Sequence, residues 1–229
     1  MADTVARETA AGNGALARLG EPELPEGALE RIARLEMEVD YLENHLAALR
    51  TVLQQKQMLT YDDVLRVMYS LETRDAAAGA RVVARAWTDP AYKARLLAQP
   101  KAACAELGVD LSAAGWELLV LENTATTHNV AVCTTCSCYP GQLVGGPPAW
   151  YKSWGYRGRI VSHPREVLQQ FGLHLGPDVD VRVVDTDRNR RAFVLPRRPA
   201  GTDGLTESEL ASLVTQESMF GVADPHYPG

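Results

Sequence analysis

Apolar positions change their spacing along this chain. From Ala28 they recur as Ala28, Ile32, Leu35, Val39, Leu42, Leu46, Leu49 and Leu53, at alternating steps of four and three. That heptad spacing keeps a narrow stripe on one side of a helix and predicts a single long helix over 26–53. Its first half carries Glu26, Glu30, Glu36, Glu38, Asp40 and Glu43 against Arg31 and Arg34, which suits the positive end of a helix dipole. Such a stripe either lies on the protein's own core or meets another chain, and one this long and narrow favours another chain. Residues 1–25, rich in Ala, Gly, Glu and Pro with no sustained apolar period, read as a mobile arm.

Shorter helical patterns follow. Thr60 is a cap for a helix whose apolar face is Val64, Leu65, Met68 and Leu71. Residues 79–87 form another, and Asp89-Pro90 pairs an N-cap with a proline at the first helical position. Pro100 restarts the helix and Gly108 ends it. Beyond this point the period shortens. Strands are predicted over 116–121 and 129–132, a short helical turn at 149–152, and a helix from Ser162 and Pro164 to Gly172. Residues 179–184 and 192–195 flank a polar loop in the manner of an antiparallel hairpin. Thr206 and Glu209 spell a capping box for a last helix. The reading is α+β: a mobile arm over 1–25, a helical region over 26–110 that contacts a partner, and an α+β domain over 111–229.

Composition narrows the function classes. With 229 residues, 46% of them hydrophobic, the chain can bury a core without disulfides or metal. A net charge of -6 and the lack of any Lys/Arg cluster argue against nucleic acid or an anionic membrane as partner. No run approaches the roughly 20 apolar residues of a membrane-spanning helix, and the first twenty residues lack a signal-peptide pattern. A cytoplasmic protein is expected.

Three of the four cysteines fall in six residues, Cys133-Thr134-Thr135-Cys136-Ser137-Cys138. A polar Thr/Ser-rich turn is poor core material, and an odd number of thiols suits a disulfide badly, so a metal site is the better account. Zinc usually takes four ligands from paired knuckles, and only one knuckle is present. His128 could add a fourth ligand, although a histidine at a strand start is more often an exposed polar residue. Cys104 lies upstream in a helical context. In C-x-C the intervening amide nitrogens come close to any metal that both sulfurs share, which suits a trivalent transition ion better than zinc.

The segment Val132-Cys133-Thr134-Thr135-Cys136-Ser137-Cys138-Tyr139-Pro140 resembles the metal-binding segment of the nitrile hydratase alpha-subunit family, which also includes the metal subunit of thiocyanate hydrolase. The likeness extends to 79–84 with Ala86-Trp87, to Asp89-Pro90-Ala91-Tyr92-Lys93, Glu122-Asn123-Thr124, 147–153 and 194–202, covering about residues 45–222. The resemblance implies a layered α/β/β/α domain and an enzyme that hydrates a nitrile to its amide. It implies that the metal takes the sulfurs of Cys133, Cys136 and Cys138 and the amides of Ser137 and Cys138, with Cys136 a sulfinic and Cys138 a sulfenic acid. Thr134 after the first cysteine favours Co(III), one per chain, over Fe(III). The reacting groups would be Cys136, Ser137 and Cys138 around an open coordination position where the ion acts as a Lewis acid. A beta-type subunit is implied, whose arginines bond the oxidised sulfurs, as is a cobalt-insertion activator protein.

Charge counting points the same way. Three thiolates and two amidates around a trivalent ion leave about −2 on the centre. No Lys or Arg lies between His128 and Trp150, so the counter-charges are expected from a second chain. Three positions depart from the family pattern: Thr135 where Leu is usual, Gly141-Gln142 in place of Trp-Pro, and Ala114 near a common pocket Gln. Losing an indole at Gly141 opens space of roughly a bicyclic ring. A bulky nitrile is therefore expected, on a heteroaromatic or nucleoside scaffold such as toyocamycin. The alternatives are a thiocyanate hydrolase subunit and a non-catalytic metal-binding scaffold.

Overall fold

The computed structural model describes residues 27–72 and 75–227; the arm expected over 1–25 lies outside them. The chain divides into two compact units between Arg66 and Val67. In the first, helix α1 runs Ala28–Gln55 and buries none of its side chains. Its stripe stays open to solvent, from Ile32 at 42% to Leu46 at 65% exposure. Helix α2, Tyr61–Glu72, starts where the capping residue predicts. There Thr60 Oγ1 accepts from Asp63 N at 3.1 Å, and the Asp63 carboxylate accepts from Thr60 N at 2.9 Å.

The second unit holds the core. Helix α3 (Ala77–Thr88) buries Gly79, Ala80, Val82, Val83, Ala84 and Ala86, a face of small and β-branched residues that lets other elements approach closely. A Cβ at Gly79 would stand 2.5 Å from Leu143 O, so that contact needs glycine. Helix α4 (Pro90–Ala98) is capped by Asp89, which accepts from Tyr92 N, and α5 (Pro100–Glu106) restarts at its proline. Gly108, with φ +78, turns the chain out of α5.

Among the described residues, four strands form two parallel pairs rather than one sheet. Strand β1 (Glu117–Glu122) pairs with β4 (Arg190–Leu195), and β2 (Thr127–Val132) with β3 (Asp180–Asp185). The two pairs meet through β2 and β4; α4 and α5 cover β1, while α8 (Trp154–Ser162) and α9 (Pro164–Gln170) cover β3. The antiparallel hairpin expected around residues 185–189 does not form. Only Asp187 and Arg190 bridge in antiparallel fashion, after which β3 and β4 part to opposite sheets. Each finds a better partner there: β2 is buried along almost its whole length, and its ladder with β3 satisfies backbone groups that a hairpin would leave unpaired.

Helices α6 (Gly141–Val144) and α7 (Ala149–Lys152) follow the cysteine segment, and α10 (Glu207–Ser212) and α11 (Gln216–Phe220) close the fold. Trp150, Tyr151, Tyr156, Phe171 and Phe220 pack with ring centroids 4.4–6.2 Å apart. Helix α8 escapes sequence reading because Gly155 and Gly158 interrupt its pattern. Its start is set by Ser153, which accepts from Tyr156 N. His128, expected at the surface, is 4% exposed. Its Nε2–H donates to Gly221 O at 2.8 Å and its Nδ1 accepts from Asn123 Nδ2 at 3.2 Å, tying β2 to the last turn of the chain.

Candidate metal centre

Strand β2 delivers the cysteine loop. Val132 ends the strand, and the chain turns at once through residues 133–138. Cys133 is buried, Cys138 half-buried and Cys136 exposed, and the three sulfurs lie within 4.8 Å of one another. Cys133 Sγ is 3.3 Å from Cys136 Sγ and accepts from Cys136 N at 3.4 Å. Ser137 sits in the left-handed region at φ +53, uncommon for a residue with a side chain and costing about 1–3 kcal/mol. Its N–H donates to Cys133 O at 3.2 Å, which folds the loop back on itself and gathers the sulfurs. Ligation through this amide would require it to give up that proton.

Burial pushes the Cys133 thiol up, but the N–H groups of Cys136 and Cys138, the Cys136 thiol and the Thr135 N–H all point to its sulfur and bring it below the ordinary thiol value. Cys136 is pushed up to about 12, first by its contact with the Cys138 thiol, then by burial and by Cys133. Crowded thiols of this kind resist losing successive protons unless a cation shares them. Three sulfurs able to converge on one point, the first with the N–H groups of its own loop directed at it, fit a thiophilic transition ion.

The loop is held from several sides. The β2–β3 register pairs Val132 with Asp185, and this places the Asp185 carboxylate against Thr134, two residues on. Thr134 N donates to Asp185 Oδ1 at 2.9 Å and Thr134 Oγ1 to Oδ2 at 2.6 Å. Thr186 donates to Val132 O through N at 2.8 Å and Oγ1 at 3.1 Å. Tyr151 OH donates to Cys138 O at 2.9 Å. Two arginines reach the loop as well: Arg157 Nη1 donates to Thr134 O, and Arg191 Nη1 to Tyr139 O, each at 2.9 Å.

A cleft of about 370 Å³ opens beside the loop, lined by Cys136, Ser137, Cys138, Tyr139, Gly141, Pro147, Lys152 and Arg191. Gly141 thus borders the same cleft as Cys136, Ser137 and Cys138. Ala114 does not line this cleft; it borders a neighbouring one with Lys101 and Trp116. Thr135 is exposed and is not part of the cleft lining. His128 stands outside the sulfur cluster with both ring nitrogens engaged. Cys104 is buried in α5, its thiol pushed up to about 12 by that burial. The expectation that only a second chain could bring positive charge to the loop is corrected by Arg157, Arg191 and Lys152. They come from α8, β4 and α7, beyond the stretch searched in sequence, and folding alone brings them in. Asp185, Tyr151 and both arginines were missed in the sequence, where only the parallel register of β2 and β3 could have pointed to Asp185.

Residues 40–223 match the family described as nitrile hydratase, alpha chain. The chain is 46% identical over 183 residues to the low-molecular weight cobalt-containing nitrile hydratase subunit alpha of Rhodococcus rhodochrous, covering 79% of this chain and 87% of that one. Among solved structures it resembles a double mutant of the Fe-type nitrile hydratase from Comamonas testosteroni Ni1, with a TM-score of 0.73 and 39% identity over 82% of this chain and 92% of that one. A recombinant thiocyanate hydrolase with partially modified cobalt centres gives a TM-score of 0.75 and 38% identity over 82% and 91%.

Proposed function

Because this chain belongs to the nitrile hydratase alpha-chain family, we propose that it is the metal-bearing subunit of a cobalt hydro-lyase that converts a bulky, ring-bearing nitrile to its amide. Cobalt is the ion named for the Rhodococcus relative. Cys133, Cys136 and Cys138, with the amides of Ser137 and Cys138, would hold it. Bound there, the ion supplies the Lewis acidity that adding water across a carbon–nitrogen triple bond requires.

The chain's own groups divide the remaining work. Cys133, buried at the end of β2, anchors the loop. Cys136 and Cys138 face the cleft, and oxidation follows exposure, which suits them as the sulfinic and sulfenic positions and leaves Cys133 a plain thiolate. Ser137, in its left-handed turn, keeps the two sulfurs on one side. Lys152 and Arg191 make the cleft positive and favour the electron-rich nitrogen of a nitrile or of a heterocycle. A beta-type subunit, a cobalt-insertion activator and a cytoplasmic setting complete the proposal.

The observation that carries the substrate class is Gly141: it borders the cleft beside three residues of the metal loop, where a tryptophan would fill much of the space. Turnover of acrylonitrile against a cyano-substituted heteroaromatic or nucleoside, measured on the assembled enzyme, tests it. A higher kcat/KM for the ring-bearing substrate is expected; preference for acrylonitrile sinks the proposal. One observation favours a second reading. The cleft lining contains two cations and no carboxylate, which would also suit thiocyanate, and including that anion in the same assay separates the two.

A further inference from the structure

The cysteine loop is gripped at both ends in the same way. Thr134 directly follows the first cysteine and Tyr139 directly follows the last. Each offers its carbonyl oxygen to an arginine from a distant element, Arg157 of α8 and Arg191 of β4. Each guanidinium lies over an indole, Arg157 Cζ 4.0 Å from the Trp154 ring centroid and Arg191 Cζ 4.5 Å from that of Trp116. In each the Nε is buried without an acceptor. Among the described residues neither arginine pairs with a carboxylate.

A loop that only needed its carbonyls tied would be served by neutral donors, as Tyr151 serves Cys138 O. Arg157 is buried and Arg191 half-buried with its Nε enclosed, and withdrawing guanidinium groups from water with nothing but carbonyls and indole faces to answer their charge is costly. An indole face returns part of that cost and fixes the plane of the group. The balance has to come from negative charge nearby. The loaded centre, three thiolates and two amidates around a trivalent ion, carries about −2, matching two unpaired guanidinium groups in size and sign.

We infer that Arg157 and Arg191 are positioning residues that clamp the metal loop at its two flanking carbonyls and supply, from within this chain, the positive charge the loaded centre needs. The inference rests on the reading of Cys133, Cys136 and Cys138 as ligands. It implies that the alpha chain can hold its ion electrostatically before any partner contributes, and that the partner's charges act on the outer, exposed side of the site.

The test uses the enzyme co-expressed with its partner subunit in cobalt-limited medium, with cobalt per chain and the sulfur-to-cobalt absorption band as readouts. Arg157→Gln and Arg191→Gln remove the charge and are expected to cut cobalt content at least fivefold. Arg157→Lys and Arg191→Lys keep the charge but not the planar fork, and are expected to recover at least half the wild-type cobalt with a shifted band. Wild-type loading and an unshifted band in both Gln variants would overturn the inference, as would equal loss of cobalt in the Lys and Gln variants, since a merely structural tie would not distinguish charge. Trp116→Leu and Trp154→Leu guard against a Gln variant that fails to assemble. They keep both charges and should load within twofold of wild type with a moved band; unchanged bands in both overturn the clamp. A wild-type enzyme without cobalt would refute the metal site itself, a separate result.

Discussion

Asp185 and Thr134 meet at the end of a parallel ladder, the carboxylate of one accepting from both the backbone N–H and the hydroxyl of the other at 2.9 and 2.6 Å. The contact makes the first turn of the metal loop a continuation of sheet geometry. Strand β3 ends where the loop begins, so the sheet and the cysteines share one set of coordinates.

Replacing Asp185 therefore reaches the site through the backbone. Asp185→Ala leaves the Thr134 N–H without its charged acceptor, and a hydrogen bond of this kind contributes about 1.5–3 kcal/mol. A loss of stability of that order in urea titrations, with lower cobalt uptake, is expected. Asp185→Asn should retain part of both.

Gly141→Trp returns an indole to the cleft. Its backbone is not in the positive-φ region, so the change is sterically allowed at the main chain. Turnover of a ring-bearing nitrile should fall at least tenfold in kcat/KM, by the logic of an overfilled pocket, while a small nitrile should be hydrated as well as before or better. An equal fall for both would mean that the loop itself had been disturbed.

The four thiols should differ in reactivity in metal-free protein. Cys136 is exposed and Cys138 half-buried, whereas Cys104 is buried in α5 beyond the reach of a reagent. Short iodoacetamide treatment at pH 7.5 followed by peptide mass analysis should label the loop and spare Cys104 until denaturant is added. Cobalt should protect the loop.

The Thr206–Glu209 capping box gives a pH-dependent prediction. The Thr206 hydroxyl and N–H hold the Glu209 carboxyl below the usual glutamate value. A depressed folded-state pKa adds stability that is present above the unfolded value of about 4.3 and is lost as pH falls through the folded one. Thr206→Ala should cost about 1 kcal/mol near neutrality, and the gap in thermal midpoint between variant and wild type should narrow below that pH.

How much of this was visible beforehand depended on range in sequence. Local signals held: Thr60, Asp89 and Thr206 cap helices where they were read to, Pro100 restarts one, Gly108 ends one, and the three cysteines converge. Relations between distant segments were not readable. The 179–184 and 192–195 segments look like a hairpin because their turn chemistry is that of one, and only the buried face of β2 reveals the better partner for β3. Arg157 and Arg191 lie 19 and 53 residues beyond Cys138, so a search for cations near the motif passed over them. His128 looked like a surface residue because nothing local announces that Asn123 and Gly221 will enclose it.

Helix α1 buries no side chain along its 28 residues, and a helix in a protein takes most of its stability from packing its apolar face. Its helicity should therefore vary with protein concentration and with whatever covers its leucine stripe, melting on dilution and reforming on assembly. Left uncovered, that apolar strip would be prone to aggregation. For such a helix, concentration and company are as much conditions of order as any contact in the core.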